Sequence, residues 1–323
     1  MLYKFEDILN IVNEDICNLK FEQNPKSLFE PIDYILSLGG KRIRPALSLM
    51  SYNLYKNDIK TALPVASAIE IFHNFTLLHD DLMDRANVRR GKETVHVKWD
   101  ENTAVLSGDA MLIEAYVKIA EVDSKFLPQV LKLFSQTATE ICCGQQFDME
   151  FEQRMNVSID EYIEMIRLKT AVLLACALKE GAILAEASDK DADLLYKFGI
   201  NIGLGFQLMD DLLDVYGNPE TFGKKIGGDI LCNKKTYLLI NALQDDAKRD
   251  ELMHWVNKQN FNAEEKIGAI THIYNELGLR EKTMSLVIDY YNKGIDCLNE
   301  INVSSDQKQE LKALAELLLS RNS

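Results

Sequence analysis

Between Val65 and Asn218 the chain contains one proline, Pro128, and after Pro219 it contains none. Proline removes a helix hydrogen bond and clashes with the preceding turn, so stretches this free of it are open to long helices. A β sandwich or barrel would need turn residues roughly every 8–12 positions, and such punctuation is missing here. Apolar residues instead recur at helical spacing over 44–55, 62–84, 102–122, 158–186, 191–215 and 264–301, and no segment alternates convincingly with period two. The stretches 171–185 and 198–213 are apolar nearly all round, as helices buried inside a bundle must be. With 47 % hydrophobic residues a sizeable core is available. No linker, repeat or low-complexity run divides the chain. The expected architecture is all-α, with residues 1–323 forming a single domain.

Net charge is −14. A duplex-binding protein needs a cationic footprint, so general nucleic-acid binding is excluded. The opening MLYKFEDILNIVNED places acids inside its first apolar stretch, and the charge-free run 171–178 is far too short to cross a bilayer. No transmembrane segment is therefore expected. The six cysteines (17, 142, 143, 176, 232 and 297) have no CxxC spacing and read as reduced core residues of a cytoplasmic protein.

Two aspartate clusters carry the chemistry. LLHDDLMD contains Asp80, Asp81 and Asp84, and FQLMDDLLD contains Asp210, Asp211 and Asp214. In each, the first and third acids lie four apart, so their carboxylates project from one helix face and repel one another. Apolar flanks worsen the desolvation, and such a cluster is stable only when cations fill it. Carboxylate oxygens select Mg²⁺ or Mn²⁺ over zinc. One DDxxD is compatible with a solvated helix face. Two copies at the ends of apolar helices are not.

Basic loops accompany both clusters. GGKRIRP supplies Lys41, Arg42 and Arg44 at a helix start, VRRGK supplies Arg89, Arg90 and Lys92, and FGKKIGGDILCNKK supplies Lys224, Lys225, Lys234 and Lys235. Backbone amides at a helix N-terminus together with guanidinium forks suit a phosphate group.

Taken in order, GGKRIRP, HDDLMD with RRG, LKT, and FQLMDDLLD with FGK and GGD resemble the trans-isoprenyl diphosphate synthases from about residue 35 to 240. The resemblance implies an isoprenoid-synthase helical bundle around a central active-site cavity, usually a homodimer. It also implies condensation of isopentenyl diphosphate with an allylic diphosphate. Asp80, Asp84 and Asp210 would then be ligands of three Mg²⁺ ions (Mn²⁺ able to substitute), with Asp81, Asp211 and Asp214 behind them. Lys41, Arg44, His73 and Arg90 would form the isopentenyl diphosphate site. Arg89, Lys169, Thr170, Gln207, Lys224 and Lys234 would clamp the allylic diphosphate, with Lys169 and Lys224 sharing the catalytic role of the aspartates. On their own residue chemistry, His73 and Gln207 are equally compatible with core packing, and Thr170 with a hydroxyl bonded to its own helix.

Leaving-group charge would be neutralised by metal ions, Lys and Arg, and no nucleophilic Ser or Cys is needed. For product length, Phe75 and Thr76 lie below Asp80 on the same helix. An aromatic five residues before the first Asp, with no insertion inside DDLMD, resembles geranylgeranyl diphosphate synthases, so a C20 product is expected and farnesyl diphosphate (C15) is the alternative. Met111 or Tyr116 would be the floor should Phe75 not be. A class I terpene cyclase has no use for GGKRIRP, and a non-catalytic helical subunit typically loses an Asp motif. An HD-type phosphohydrolase would need metal-binding histidines beyond His79, and His73, His96, His254 and His272 form no second dyad. Arg321 near the C-terminus is a weak candidate for a basic closing tail.

Overall fold

The computed structural model describes residues 2–218 and 226–319. Its helices are α1 (Phe5–Asn18), α2 (Lys26–Ser37), α3 (Ile43–Asn53), α4 (Leu63–Met83), α5 (Val95–Lys98), α6 (Glu101–Ala120), α7 (Leu127–Glu152) and α8 (Ile159–Ile166). They continue as α9 (Val172–Leu184), α10 (Asp189–Tyr216), α11 (Gly228–Leu231), α12 (Tyr237–Leu243), α13 (Arg249–Asn257), α14 (Ala263–Glu276), α15 (Leu279–Glu300) and α16 (Ser305–Leu319). Among the described residues the only strands are β1 (Val88–Arg89) and β2 (Lys92–Glu93), a two-residue hairpin pairing Val88 with Glu93 and Arg89 with Lys92. The fold is all-α, as the helical periodicity and the sparse prolines predict.

Two sequence expectations need correction. The apolar periodicity over 264–301 belongs to two helices, because Gly278 takes φ +60° and its N–H bonds the Asn275 carbonyl, ending α14. A left-handed glycine at this position is the common helix stop. The six cysteines are not core residues as a set: Cys17, Cys142, Cys143 and Cys232 are exposed, Cys297 is half-buried and only Cys176 is buried, although none is in a disulfide. The 158–186 stretch is helical, but α8 and α9 are separated by a π-helical turn at Arg167–Ala171. Capping is local and legible: Ser158 and Glu161 form a reciprocal box at α8, and Asn262 Oδ1 accepts from the Glu264 and Glu265 amides at α14.

The chain divides into two compact units. The first comprises Met1–Ser135, Cys176–Leu195 and Ile301–Leu311, and the second Gln136–Ala175, Tyr196–Glu300 and Lys312–Ser323. In the first unit α4 is the central element, buried from Val65 to Phe72 without interruption. With the turn before it, Ile59–Met83 is long and apolar enough to cross a membrane, yet 67 % of its most apolar window is buried inside the protein. It also carries the buried Glu70, bonded to Arg42, so it is a core helix. Gly108 of α6 lies against His79 of α4, where any Cβ would collide with the imidazole. In the second unit Leu204, Leu208, Met209 and Leu212 of α10 pack with Tyr162, Leu238, Ile270 and Val287 into one apolar core.

Candidate active site

In the first unit the acids of LLHDDLMD separate by burial. Asp81 is buried and accepts from Arg89 Nε at 2.6 Å, whereas Asp80 is half-buried and Asp84, capping α4, is exposed. Burial pushes the Asp81 carboxyl up, and the Arg89 guanidinium opposes that shift. Arg89 is thus tied to the aspartate motif itself.

The basic loops of this unit fold around His73. Arg90 and Gly91 take φ +51° and +73°, the two left-handed positions of a tight hairpin turn between β1 and β2. The Arg90 guanidinium donates to the Gly39 carbonyl and occupies the space a Cβ on Gly40 would fill, with Nη2 only 2.7 Å from that position. The Gly-Gly pair of GGKRIRP is therefore a seat for Arg90. Arg44 Nη1 lies 3.1 Å from His73 Nε2. Burial first, then the charges of Arg44, Arg90, Arg89 and Arg42, hold the His73 imidazole well below the usual histidine range. It is neutral at pH 7, with Nε2 accepting from Arg44 and the proton on Nδ1. Three of the residues assigned to one diphosphate site, Arg44, His73 and Arg90, are brought together. Lys41 stays exposed ahead of α3.

Arg42 is turned inward. It sits at φ +47° and is buried, bonding Glu70 Oε1 and donating to the Leu36 carbonyl at 2.6 Å. Its place in GGKRIRP suggests a phosphate ligand, but Glu70, the only charged residue between 61 and 79, draws it into the core. Lys235 is likewise buried, donating to the Asn233 carbonyl at 3.3 Å.

In the second unit the FQLMDDLLD acids also separate by burial, but here both the second and the third are withdrawn. Asp211 is buried, accepts from the Tyr162 hydroxyl, and accepts from Gln207 Nε2 at 3.1 Å. Asp214 is buried and its Oδ2 accepts the Asp229 amide at 3.0 Å, while Asp210 is half-buried. Thr170 Oγ1 donates to Gln207 Oε1 at 3.1 Å, so its hydroxyl joins this network. Lys169 Nζ donates to Asp148 Oδ2 at 2.6 Å, and Lys234 Nζ stands 3.9 Å from Asp229. Lys169 and Thr170 sit within the π turn, a distortion that re-aims side chains and recurs at functional sites. Gly144 of α7 allows that turn's backbone to approach, since a Cβ there would strike Lys169 N. Tyr162 had no sequence signal beyond its helical register. Lys224 and Arg321 lie outside the described residues.

Phe75 is buried with its ring 5.4 Å from Phe72 and 4.8 Å from His79, and Phe72 continues to Phe134 at 5.3 Å. Tyr116 packs on Phe134 at 5.1 Å, and Met111 is fully buried. The half-buried Thr76 bonds the His73 carbonyl of its own helix at 2.8 Å.

The second cluster carries charge crowding of the kind a hard divalent cation relieves. Burial, and then the Asp229 carboxylate, push Asp211 up to about 7, which marks acid density that a cation would relieve. Among the described residues no three His, Cys, Asp or Glu groups converge on one point. Mg²⁺ needs no such cage, being held through one or two carboxylates with substrate phosphate oxygens.

Residues 25–276 match the family model described as polyprenyl synthetase. This chain belongs to the polyprenyl synthetase family. The geranylgeranyl diphosphate synthase of Methanosarcina mazei is 38 % identical over 300 residues, covering 92 % of this chain and 90 % of that one. The short chain isoprenyl diphosphate synthase of Methanocaldococcus jannaschii is 35 % identical, covering 98 % and 95 %. The crystal structure of geranylgeranyl pyrophosphate synthetase from Pyrococcus horikoshii Ot3 matches with a TM-score of 0.92 at 30 % identity, over 98 % of both chains. This polyprenyl synthetase accordingly has the all-α isoprenoid-synthase fold and is a trans-prenyltransferase.

Proposed function

We propose that this polyprenyl synthetase condenses isopentenyl diphosphate with an allylic diphosphate, with Mg²⁺ as cofactor, and releases C20 geranylgeranyl diphosphate. One observation carries the reading. In both Asp motifs the middle acid is buried and bonded to protein donors, Arg89 on Asp81 and Tyr162 with Gln207 on Asp211. Asp80 and Asp210 remain half-buried beside them. Asp80 and Asp84 in one motif, and Asp210 in the other, are the carboxylates that keep accessible surface for a cation.

Asp80, Asp84 and Asp210 would hold the metal ions, with Asp81, Asp211 and Asp214 orienting the helix ends that carry them. Bound Mg²⁺ supplies charge neutralisation for the departing diphosphate. Arg44 and Arg90, flanking a neutral His73, hold the isopentenyl diphosphate headgroup, with Lys41 at its exposed edge. Lys169, Thr170, Gln207, Lys234 and the sequence-assigned Lys224 grip the allylic diphosphate, joined by Arg89. Diphosphate release from labelled allylic diphosphate plus isopentenyl diphosphate, with and without Mg²⁺, tests the reaction. Metal-independent turnover, or a cyclised hydrocarbon, would overturn it.

The single-domain reading of residues 1–323 is supported by the family match, which runs through both compact units. A homodimer is supported by α6, where Leu106, Ile113 and Val117 are 58 %, 63 % and 49 % exposed along one helical stripe. A single-chain mass by light scattering would exclude it.

Product length follows from packing. Phe75 closes an aromatic column with Phe72, Phe134 and Tyr116 behind it, and a packed interior does not absorb another isoprene unit without strain. Phe75→Ala will lengthen the product beyond C20, read by chromatography of the dephosphorylated alcohols. Unchanged length in that variant moves the floor to Met111 or Tyr116.

A further inference from the structure

The loop that presents Lys234 is fastened by α14 at both ends. At its start Gly227 takes φ +80° and its N–H bonds the Asp214 carbonyl at 2.6 Å. Ile267 of α14 packs so tightly there that a Cβ on Gly227 would lie 2.6 Å from its Cδ1. At its end Asn233 takes φ +55°, a conformation that favours glycine. The Asn233 side chain is held twice: its Nδ2 donates to the Val256 carbonyl at 3.1 Å, and its Oδ1 accepts from Lys266 Nζ at 2.8 Å.

Lys266 is an unusual residue to find in this position. It is fully buried, its ammonium also donates to the Leu231 carbonyl at 3.3 Å, and it lies 4.3 Å from the centroid of the Phe261 ring. None of these three partners is a carboxylate. An ammonium taken out of water and met, among the described residues, by carbonyl dipoles, a ring face and the Cys232 thiol is costly unless its placement secures something else. What it secures is the end of α11 and the turn at Asn233. The next residue, Lys234, has its own N–H bonded to the Asp229 carbonyl at 2.9 Å, so its direction is set by the turn immediately before it.

We propose that Lys266 is a positioning residue for diphosphate binding, holding Asn233 in its left-handed turn so that Lys234 is aimed at the allylic diphosphate. This rests on the reading of Lys234 as a diphosphate contact. Lys266 itself touches no substrate. Its effect is confined to one of the two substrates, which a general packing role would not produce.

The test uses the full chain with Mg²⁺, steady-state kinetics in both substrates, calorimetric titration with inorganic pyrophosphate, and the thermal unfolding midpoint. Lys266→Met will raise the allylic KM and the pyrophosphate Kd about 10-fold, the lower end of a lost charge-assisted contact, with the KM for isopentenyl diphosphate little changed. Adding Asn233→Gly to Lys266→Met will restore both values, because glycine holds the left-handed turn without help. Asn233→Ala, which keeps Lys266 but loses the acceptor, will reproduce the Lys266→Met effect even where the latter folds poorly. Equal changes for both substrates, no change in Asn233→Ala, or no rescue by glycine would overturn the proposal. Lys234→Ala separates the two readings. An unchanged allylic KM there removes Lys234 from the site, whereas a raised KM alongside inert Lys266 and Asn233 variants removes only Lys266.

Discussion

Asp80→Ala and Asp210→Ala will each lower kcat by about 10³-fold or more while leaving the helical circular dichroism intact. Charge developing on a departing diphosphate is stabilised by the groups these carboxylates hold, and such electrostatic stabilisation is the largest catalytic contribution in reactions of this kind. The helices that carry them are held by other groups. Asp80 and Asp210 are half-buried, and neither supplies the bonds that tie Asp81 to Arg89 or Asp211 to Tyr162. Removing one acid from each cluster relieves like-charge repulsion, so the urea midpoint measured without metal will hold or rise. Near-normal turnover in either variant would refute the two-cluster reading, and a collapsed urea midpoint would show that the acid serves the fold instead.

Arg44→Ala will raise the KM for isopentenyl diphosphate roughly 10- to 150-fold, the range expected for a lost charge-assisted contact of about 1.5–3 kcal/mol. Lys169→Ala will act on the allylic substrate instead. Burial first, and then the remaining charges of Arg90, Arg89 and Arg42, still hold the neighbouring His73 imidazole well below the usual histidine range in the Arg44 variant, so the ratio of variant to parent KM will be the same at pH 6 and pH 8. Steady-state KM values for both substrates between pH 6 and 8 read the effect. Equal changes in the two KM values from each variant would refute the assignment of separate sites.

Much of this site was legible before any coordinates. Four-residue spacing places Asp80 with Asp84 and Asp210 with Asp214 whatever the surroundings, and helical periodicity located α4, α6 and α10 to within a few residues. These are local properties, set by hydrogen bonds between neighbours in sequence. Gly278 was legible too and was read through, because one glycine in a periodic stretch is tolerated in a helix as often as it stops one.

By itself, then, the sequence determined the all-α class, the two acid clusters and the basic loops that accompany them. Only the tertiary structure decided which members of each cluster face outward. Asp81 and Asp211 are withdrawn by Arg89 and Tyr162, the latter 49 residues away in the chain. Arg42 is turned inward by Glu70, Gly39 and Gly40 seat Arg90 from 51 and 50 residues on, and Asn233 is locked by Lys266 from 33 residues on. Apart from the exposed Arg90, these choices hang on burying a charge, and the cost of burial depends on which partner packing brings within hydrogen-bond reach, a quantity that spacing along the chain does not contain.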